Sequence, residues 1–289
     1  MPTKGEKDAM TGRETTGHEW DGIRELDTPL PKWWLYIFYA SIAFAVVYCV
    51  LYPSIPMFRT HTGGVLSYTN RSALARSTAD AAAQQAKFRD AIRNASLEDI
   101  RKNPDLLSFA ETGGRAAFND NCVPCHRTGG AGAAGYPNLA DDDWLWGGTL
   151  AAIHQTITHG VRNADPDSRQ SQMPRFGADG ILKADQISDV ADFVLTLSHQ
   201  RAPADAAKRG AKIFAENCAV CHGENGAGNQ EIGAKDLTDG IWLYGGDKAT
   251  LVETITYARN SSMPAWGARL DPTTIKMLAI YVHSLGGGK

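Results

Sequence analysis

The chain has 289 residues, with 29 Lys plus Arg against 32 Asp plus Glu, a formal net charge of −3 and 43% hydrophobic residues. That balance excludes a strongly basic nucleic-acid binder, whose cations must outnumber its acids to meet a polyanionic backbone. Of its five cysteines, two five-residue motifs use four, and Cys49 is the remainder.

Residues 1–32 are mostly polar and form an N-terminal segment ahead of a long apolar run. Trp33 to Tyr52 reads WWLYIFYASIAFAVVYCVLY, without Asp, Glu, Lys, Arg or His. At about 1.5 Å per residue a helix of this length matches the hydrocarbon layer, so residues 33–52 are predicted to cross a membrane once, with lipid as the partner. Trp33, Trp34 and Tyr36 at one end and Tyr48 and Tyr52 at the other suit the headgroup zone. A buried helix of a soluble domain needs no such girdle. A cleaved signal peptide fits poorly, because a long polar stretch precedes the run and no small-residue cleavage site follows it. Arg24 and Lys32 before the span and Arg59, Arg71 and Arg76 after it leave its orientation undecided by charge. Within the run, Cys49 reads as a small buried hydrophobe.

Residues 53–107 are expected to be a linker containing a helix. Pro53 and Pro56 end the span, Thr62-Gly63-Gly64 reads as a loop, and Asn70 or Ser72 is the expected cap of a helix reaching about Asn94. Its apolar residues, Ala73, Leu74, Ala81, Ala82, Phe88 and Ile92, make a thin stripe suited to a connector.

The rest is two copies of one module, at residues 108–200 and 204–289. Gly114, Phe118, Asn121 and Cys122 align with Gly210, Phe214, Asn217 and Cys218. Further on, Trp144-Leu145-Trp146-Gly147-Gly148 answers Trp242-Leu243-Tyr244-Gly245-Gly246, Met173-Pro174 answers Met263-Pro264, and Phe193 answers Tyr281. The separations drift through 96, 98, 90 and 88 residues, which marks a duplication with small loop insertions. Each copy reads as a first helix, a cysteine motif, a Gly-rich loop, a middle helix, a Met-Pro loop and a last helix. The last helices carry Ile187, Val190, Ala191, Val194 and Leu195 in one copy and Ile275, Leu278, Ala279 and Val282 in the other, at the spacing of an ordinary core face.

The cysteine motifs, Cys122-Val123-Pro124-Cys125-His126 and Cys218-Ala219-Val220-Cys221-His222, have the spacing that attaches haem through two thioethers and one iron-ligating His. A zinc knuckle needs four converging ligands and a thioredoxin-like dithiol needs a βαβ context, and neither requires His directly after the second Cys. Two covalent haem c groups are therefore expected, on Cys122, Cys125, Cys218 and Cys221, with His126 and His222 on the irons. The predicted fold is all-α: one N-terminal transmembrane helix followed by two tandem class I cytochrome c domains. An apolar macrocycle supplies core volume that modules this small lack.

Met173 and Met263 lie 47 and 41 residues after His126 and His222. Thioether sulfur favours reduced iron and closes the site to gases, and Pro after each Met stiffens the loop that presents it, so both are read as axial ligands. Met277 reads as core and Met57 as interface. His154, His159, His199 and His283 do not recur between copies and are read as ordinary imidazoles. Covalent attachment fixes each His but nothing equivalent fixes the Met, so residue pattern leaves both Met-to-iron pairings open. Haem attachment, completed as a rule outside the bacterial inner membrane, predicts a cytoplasmic N terminus and periplasmic haem domains. Residues 108–200 carry eleven acids against six bases and residues 204–289 nine against nine, so Asp141, Asp142 and Asp143 are candidates to steer a lysine-rich donor.

His18-Glu19-Trp20-Asp21-Gly22-Ile23-Arg24-Glu25-Leu26, Pro29-Leu30-Pro31-Lys32-Trp33-Trp34 and Tyr52-Pro53 go beyond what haem modules share. With these segments the chain resembles, over nearly its whole length, the diheme membrane-anchored subunit III of cbb3-type cytochrome c oxidases. The resemblance implies a respiratory electron relay without catalytic residues of its own. It implies, as partners, a donor cytochrome c, a monohaem c subunit and the haem-copper catalytic subunit. It also implies crossed ligands, Met263 to the haem at His126 and Met173 to the haem at His222. Trp20, Asp21 and Arg24 are expected to pack on a partner at the cytoplasmic surface. The rival readings are an independent tethered diheme cytochrome serving a dehydrogenase or reductase, and a haem-based gas sensor, which needs an open iron.

Overall fold

A computed structural model describes residues 5–286, leaving the first four and last three positions of the sequence outside the description. The chain divides into two compact units, residues 1–83 and 84–289.

The first unit opens with a hairpin of β1 (Thr15–Trp20) and β2 (Ile23–Leu26), antiparallel, with Trp20 opposite Ile23. The turn is Asp21-Gly22, at φ 47° and 85°, the left-handed pair a two-residue hairpin of matching twist demands. It departs from an all-helical expectation, and Trp20 and Ile23 are exposed on it. Helix α1 (Lys32–Leu51) follows, shifted one residue from the predicted span, and none of its residues is buried by protein. Its mean hydropathy of 2.1 over a window without protein cover suits a lipid environment. Cys49 is half-buried within it. After the helix ends, the chain turns back so that Val65 and Leu66 donate to the carbonyls of Val50 and Leu51.

Helix α2 (Asn70–Asn94) ends where the sequence predicts, but its cap is Thr69 rather than Asn70 or Ser72. Thr69 Oγ1 accepts from the Ser72 amide at 3.0 Å and Ser72 Oγ accepts from the Thr69 amide at 3.1 Å, a reciprocal cap.

In the second unit, α3 (Leu97–Lys102) and α4 (Pro104–Asn121) lead into α5 (Val123–His126), a single turn carrying the first cysteine motif. Helices α6 (Leu150–His159) and α7 (Ala184–Leu197) complete the first repeat. The second repeats the order with α8 (Ala204–Asn217), α9 (Ala219–His222), α10 (Lys248–Tyr257) and α11 (Pro272–Ser284).

Packing does not respect the repeat boundary. Helix α4 of the first repeat lies on α11 of the second, and α8 of the second lies on α7 of the first. The aromatic pairs record the exchange: Phe118 meets Tyr281 at 5.4 Å and Phe214 meets Phe193 at 5.2 Å, both at 61°. By alignment these are the same edge-on contact, made each time with the other repeat's last helix. Two glycines allow the close crossings: a Cβ on Gly114 would overlap the Met277 carbonyl, and one on Gly210 the Asp189 carbonyl. The cores follow suit. Phe118, Ile153 and Ile157 pack with Ile275, Leu278 and Val282, while Phe214, Leu251 and Ile255 pack with Ile187, Val190 and Val194. One module is thus built from α4, α5, α6 and α11, and the other from the contiguous run α7 to α10.

The end of α2 is fastened to α11. Lys276 Nζ donates to the carbonyls of Arg93 and Ala95 at 2.9 and 2.7 Å, and Arg89 pairs with Asp271 at 2.9 Å. A cation on the last carbonyls of a helix answers the negative end of its dipole.

Candidate functional site

Each cysteine motif follows directly on a first helix, so its position is set by the helix crossings. Cys122 and Cys218 end α4 and α8, each donating its amide to the Phe four residues back at 2.8 Å. The one-turn helices then bring Cys125 with His126, and Cys221 with His222, to the same side as the first Cys. No cysteine is in a disulfide.

The two imidazoles are held identically. His126 Nδ1 is 3.0 Å from the Pro137 carbonyl and His222 Nδ1 is 2.9 Å from the Lys235 carbonyl. A carbonyl only accepts, so Nδ1 carries the proton and Nε2 is left as the lone-pair donor, the state a metal-ligating imidazole needs. Burial pushes both imidazoles below their usual range, against the contrary pull of those carbonyl bonds, which keeps them neutral.

His222, Cys218 and Cys221 open on a cavity of about 210 Å³, and His126, Cys122 and Cys125 on one of about 180 Å³. A water needs only about 10–15 Å³ by the same measure, so both are far too large for ordered solvent alone. Their walls are mainly apolar: Phe214, Val190, Leu251 and Trp242 in one, Phe118, Ile153, Leu278 and Trp144 in the other. A flat apolar group reached by two cysteines and one neutral imidazole fits such walls. A zinc knuckle does not, because among the described residues the only converging trio of His, Cys, Asp or Glu is His159, Asp165 and Asp167, which includes no cysteine. That acidic trio also places His159 beside Asp165, at 3.2 Å, outside both cavities.

The methionines fall across the repeats. Met173, from the first, lines the cavity of His222, and Met263, from the second, lines the cavity of His126. Backbone bonds seat each loop on the end of the other repeat's middle helix. Phe176 and Gly177 donate to Ile255 and Thr256, and Trp266 and Gly267 donate to Ile157 and Thr158. The Met263 loop is tied further by bonds in both directions between Met263 and Val161, at 3.0 and 2.9 Å. Two asparagines reinforce the pattern: Asn163 Nδ2 donates to the Met263 carbonyl at 2.8 Å, and Asn260 accepts from the Met173 amide at 3.4 Å.

The carbonyls of Pro137 and Lys235, together with Asn163, Asn260 and Arg162, were not legible as site residues. The signal for three of them was present, since Arg-Asn recurs at Arg162-Asn163 and at Arg259-Asn260. The acidic run is not the three-charge surface the sequence suggested. Asp143 is paired with Lys235 at 2.9 Å, Asp141 is half-buried and accepts from the Asp143 amide, and Asp142 alone is exposed.

Comparisons with known proteins match most of the chain. Residues 12–59 match the family model of the N-terminal domain of cytochrome oxidase-cbb3, FixP, residues 111–198 the cytochrome c model, and residues 205–282 the model of cytochrome c oxidase, cbb3-type, subunit III. Among curated proteins, the cbb3-type cytochrome c oxidase subunit FixP of Azorhizobium caulinodans is 58% identical, over 98% of this chain and 96% of its own. Subunit CcoP of Azospirillum brasilense is 56% identical over 98% and 99%, and subunit FixP of Bradyrhizobium diazoefficiens is 52% identical over the whole of both chains.

Proposed function

Since the chain belongs to the FixP/CcoP family of cbb3-type cytochrome c oxidase subunits, it is a membrane-anchored electron-transfer subunit of that oxidase with two covalently bound haem c groups, and we propose that each haem is held jointly by both repeats. Cys122 and Cys125 form the thioethers of one haem, with His126 and Met263 on its iron. Cys218 and Cys221 form those of the other, with His222 and Met173. The observation that carries this reading is the crossed lining of the two cavities, each pairing one repeat's His with the other's Met. Haem held this way would supply one-electron chemistry, and iron bound by both imidazole and thioether would favour the reduced state and be closed to gases. That suits relay and speaks against gas sensing.

The chain partners the other subunits of its oxidase. The finer proposal is that electrons arrive from a donor cytochrome c and leave toward the monohaem c subunit and the haem-copper catalytic subunit. Support comes from α1, which contains no His, so the histidines of an oxygen-reducing centre must lie on other chains. We further place the hairpin segment in the cytoplasm and the haem modules in the periplasm, where covalent attachment is completed.

Single-haem variants test the ligand assignment. In Cys122→Ser/Cys125→Ser, which keeps only the His222 haem, Met173→Ala is expected to open the iron to carbon monoxide and Met263→Ala to leave it closed. The mirror variant, Cys218→Ser/Cys221→Ser, should give the opposite result. Opening by the Met of the same repeat would reject the crossed arrangement.

A further inference from the structure

Arg162 stands at a position unlike any other in the second unit. It is the one charged residue on the walls of both cavities, which otherwise share only Leu145 and Leu243. It sits just past α6, at φ 47°, a left-handed conformation that a residue with a side chain adopts at a cost unless its surroundings enforce it. The enforcement is visible. Arg162 Nε donates to the Ser261 carbonyl at 2.7 Å and Nη1 to the Ser171 carbonyl at 3.0 Å. Those carbonyls are equivalent in the two repeats, each two residues before its Met. One guanidinium thus grips both Met-bearing loops at the same point, and Nη2 makes no hydrogen bond to protein among the described residues.

We propose that Arg162 is a positioning residue shared by the two haem sites, setting both Met loops at once and presenting one permanent positive charge to both haems. A haem carries two carboxylates, and a planar guanidinium is the side chain best shaped to meet one. In a half-buried setting its charge is felt more strongly than in water, and it stabilises whichever iron holds the extra electron. Its neighbours differ in reach. Arg259, stacked 4.8 Å over Tyr244, lines only the His222 cavity. Among the described residues the His126 cavity has no other permanent cation on its wall, and its Asp143 is already paired with Lys235. Arg162 therefore governs the His126 haem alone and the His222 haem together with Arg259, the third cation on that wall, Lys235, being offset by Asp143 and Asp239.

The inference rests on the two-haem reading and, for the loops, on the Met assignment. The test is potentiometric titration of the purified full chain, after its haem content is measured, with each signal assigned from the two single-haem variants. Arg162→Gln is expected to lower both midpoint potentials, the His126 haem more, because losing the charge and loosening the thioether act in the same direction. Arg259→Gln should lower only the His222 haem. A shift confined to one haem in Arg162→Gln, or none at all, overturns the proposal. Fewer than two haems in the unmutated chain overturns instead the two-haem reading, and Met variants without spectral effect overturn the ligand reading. Should Arg162→Gln fail to assemble, Arg162→Lys replaces it, keeping the charge but unable to bond both carbonyls. Weakening of the Met-to-iron charge-transfer band at both haems then supports the clamp, and a change at one haem or neither refutes it.

Discussion

Gly160 offers the sharpest test of the exchange, because it belongs to one repeat and abuts the Met of the other. It ends α6 at φ 69°, and a Cβ built there would overlap the Met263 carbonyl and the Asn163 amide nitrogen and crowd Pro264. In Gly160→Ala the backbone, at φ 69° and ψ −162° in a region almost confined to glycine, costs about 1–3 kcal/mol. The new methyl also has to be cleared from about van der Waals overlap to roughly 3.5 Å, which displaces the Met263 carbonyl from its two donors, the Val161 amide and Asn163. Each of those bonds is worth about 1 kcal/mol net, so the steric part adds about 2 kcal/mol. Gly180 supplies the control, with nearly the same φ of 68° and nothing within 4 Å of a Cβ. Gly180→Ala therefore carries a positive-φ backbone cost without the clash. The excess of about 2 kcal/mol is relieved when the Met263 loop lets go, so the Met-off population of the His126 haem should rise about 30-fold. Carbon monoxide binding to the reduced chain, resolved by haem in the single-haem variants, reads this directly. If Gly160→Ala binds no more gas than Gly180→Ala, or if the His222 haem is the one that opens, the exchanged packing is wrong.

Gly114→Ala drives a methyl into the backbone of α11 and should cost about 1–3 kcal/mol of unfolding free energy in a denaturant titration, whereas Gly113→Ala meets only the flexible end of Met277 and should be near neutral. Asp271 caps α11 through the Thr273 and Thr274 amides. Burial alone would raise its pKa, but the Thr274 hydroxyl and amide and Arg89 outweigh it and hold the carboxyl below the usual 3.8. A depressed acid stabilises the fold above its unfolded value, so this contribution fades as pH falls below 3.8; Asp271→Ala should lose about 1 kcal/mol, or about 2–4 °C in Tm, at neutral pH and converge on the native chain in acid. Lys235 Nζ bridges Asp143 and Asp239 at 2.9 and 2.8 Å while being only 13% exposed. Lys235→Met strands two carboxylates and should cost about 2–3 kcal/mol, somewhat less than a fully buried pair. Burial already pushes the Asp143 carboxyl up against Lys235's hydrogen bond, and removing that bond raises it further. A raised acid favours the folded state at low pH, so the variant should regain stability on acidification; a variant whose deficit is constant from pH 7 to 4 would contradict this.

Much of this was legible because local chemistry dictates it. The two cysteine motifs carry their own spacing, the apolar run fixes its own helix, and α2 ends at Asn94 as its composition indicates. The hairpin was missed although Asp21-Gly22 is a strong two-residue turn signal, because the flanking Thr15–Trp20 and Ile23–Leu26 lack an alternating apolar face. The cap at Thr69 was missed for a similar reason, three candidate residues standing in one short stretch. The exchange of α7 and α11 lies on a different link. Both last helices present nearly the same apolar stripe, and both first helices the same Gly and Phe, so either pairing satisfies the pattern. Only chain geometry selects between them, and periodicity carries no information about that.

That selection has a consequence for how the two sites are made. His222 and Met173 are 49 residues apart within the contiguous stretch from the Met173 loop to the end of α10, whereas His126 and Met263 are 137 apart and bracket that stretch. Loop closure costs more as separation grows, and non-local contacts repay it only late. The His222 module can therefore assemble first, and in doing so it brings Ser171 and α10 into place. The His126 module closes last, when α11 returns across α4 and the Met263 loop settles on Val161. Arg162, whose two bonds reach one loop from each event, is satisfied only when both are complete. On the proposed ligand assignment neither repeat is a stand-alone electron carrier: cutting the sequence between residues 200 and 204 would separate each His from the Met that shares its cavity, although it leaves both haem attachment motifs whole.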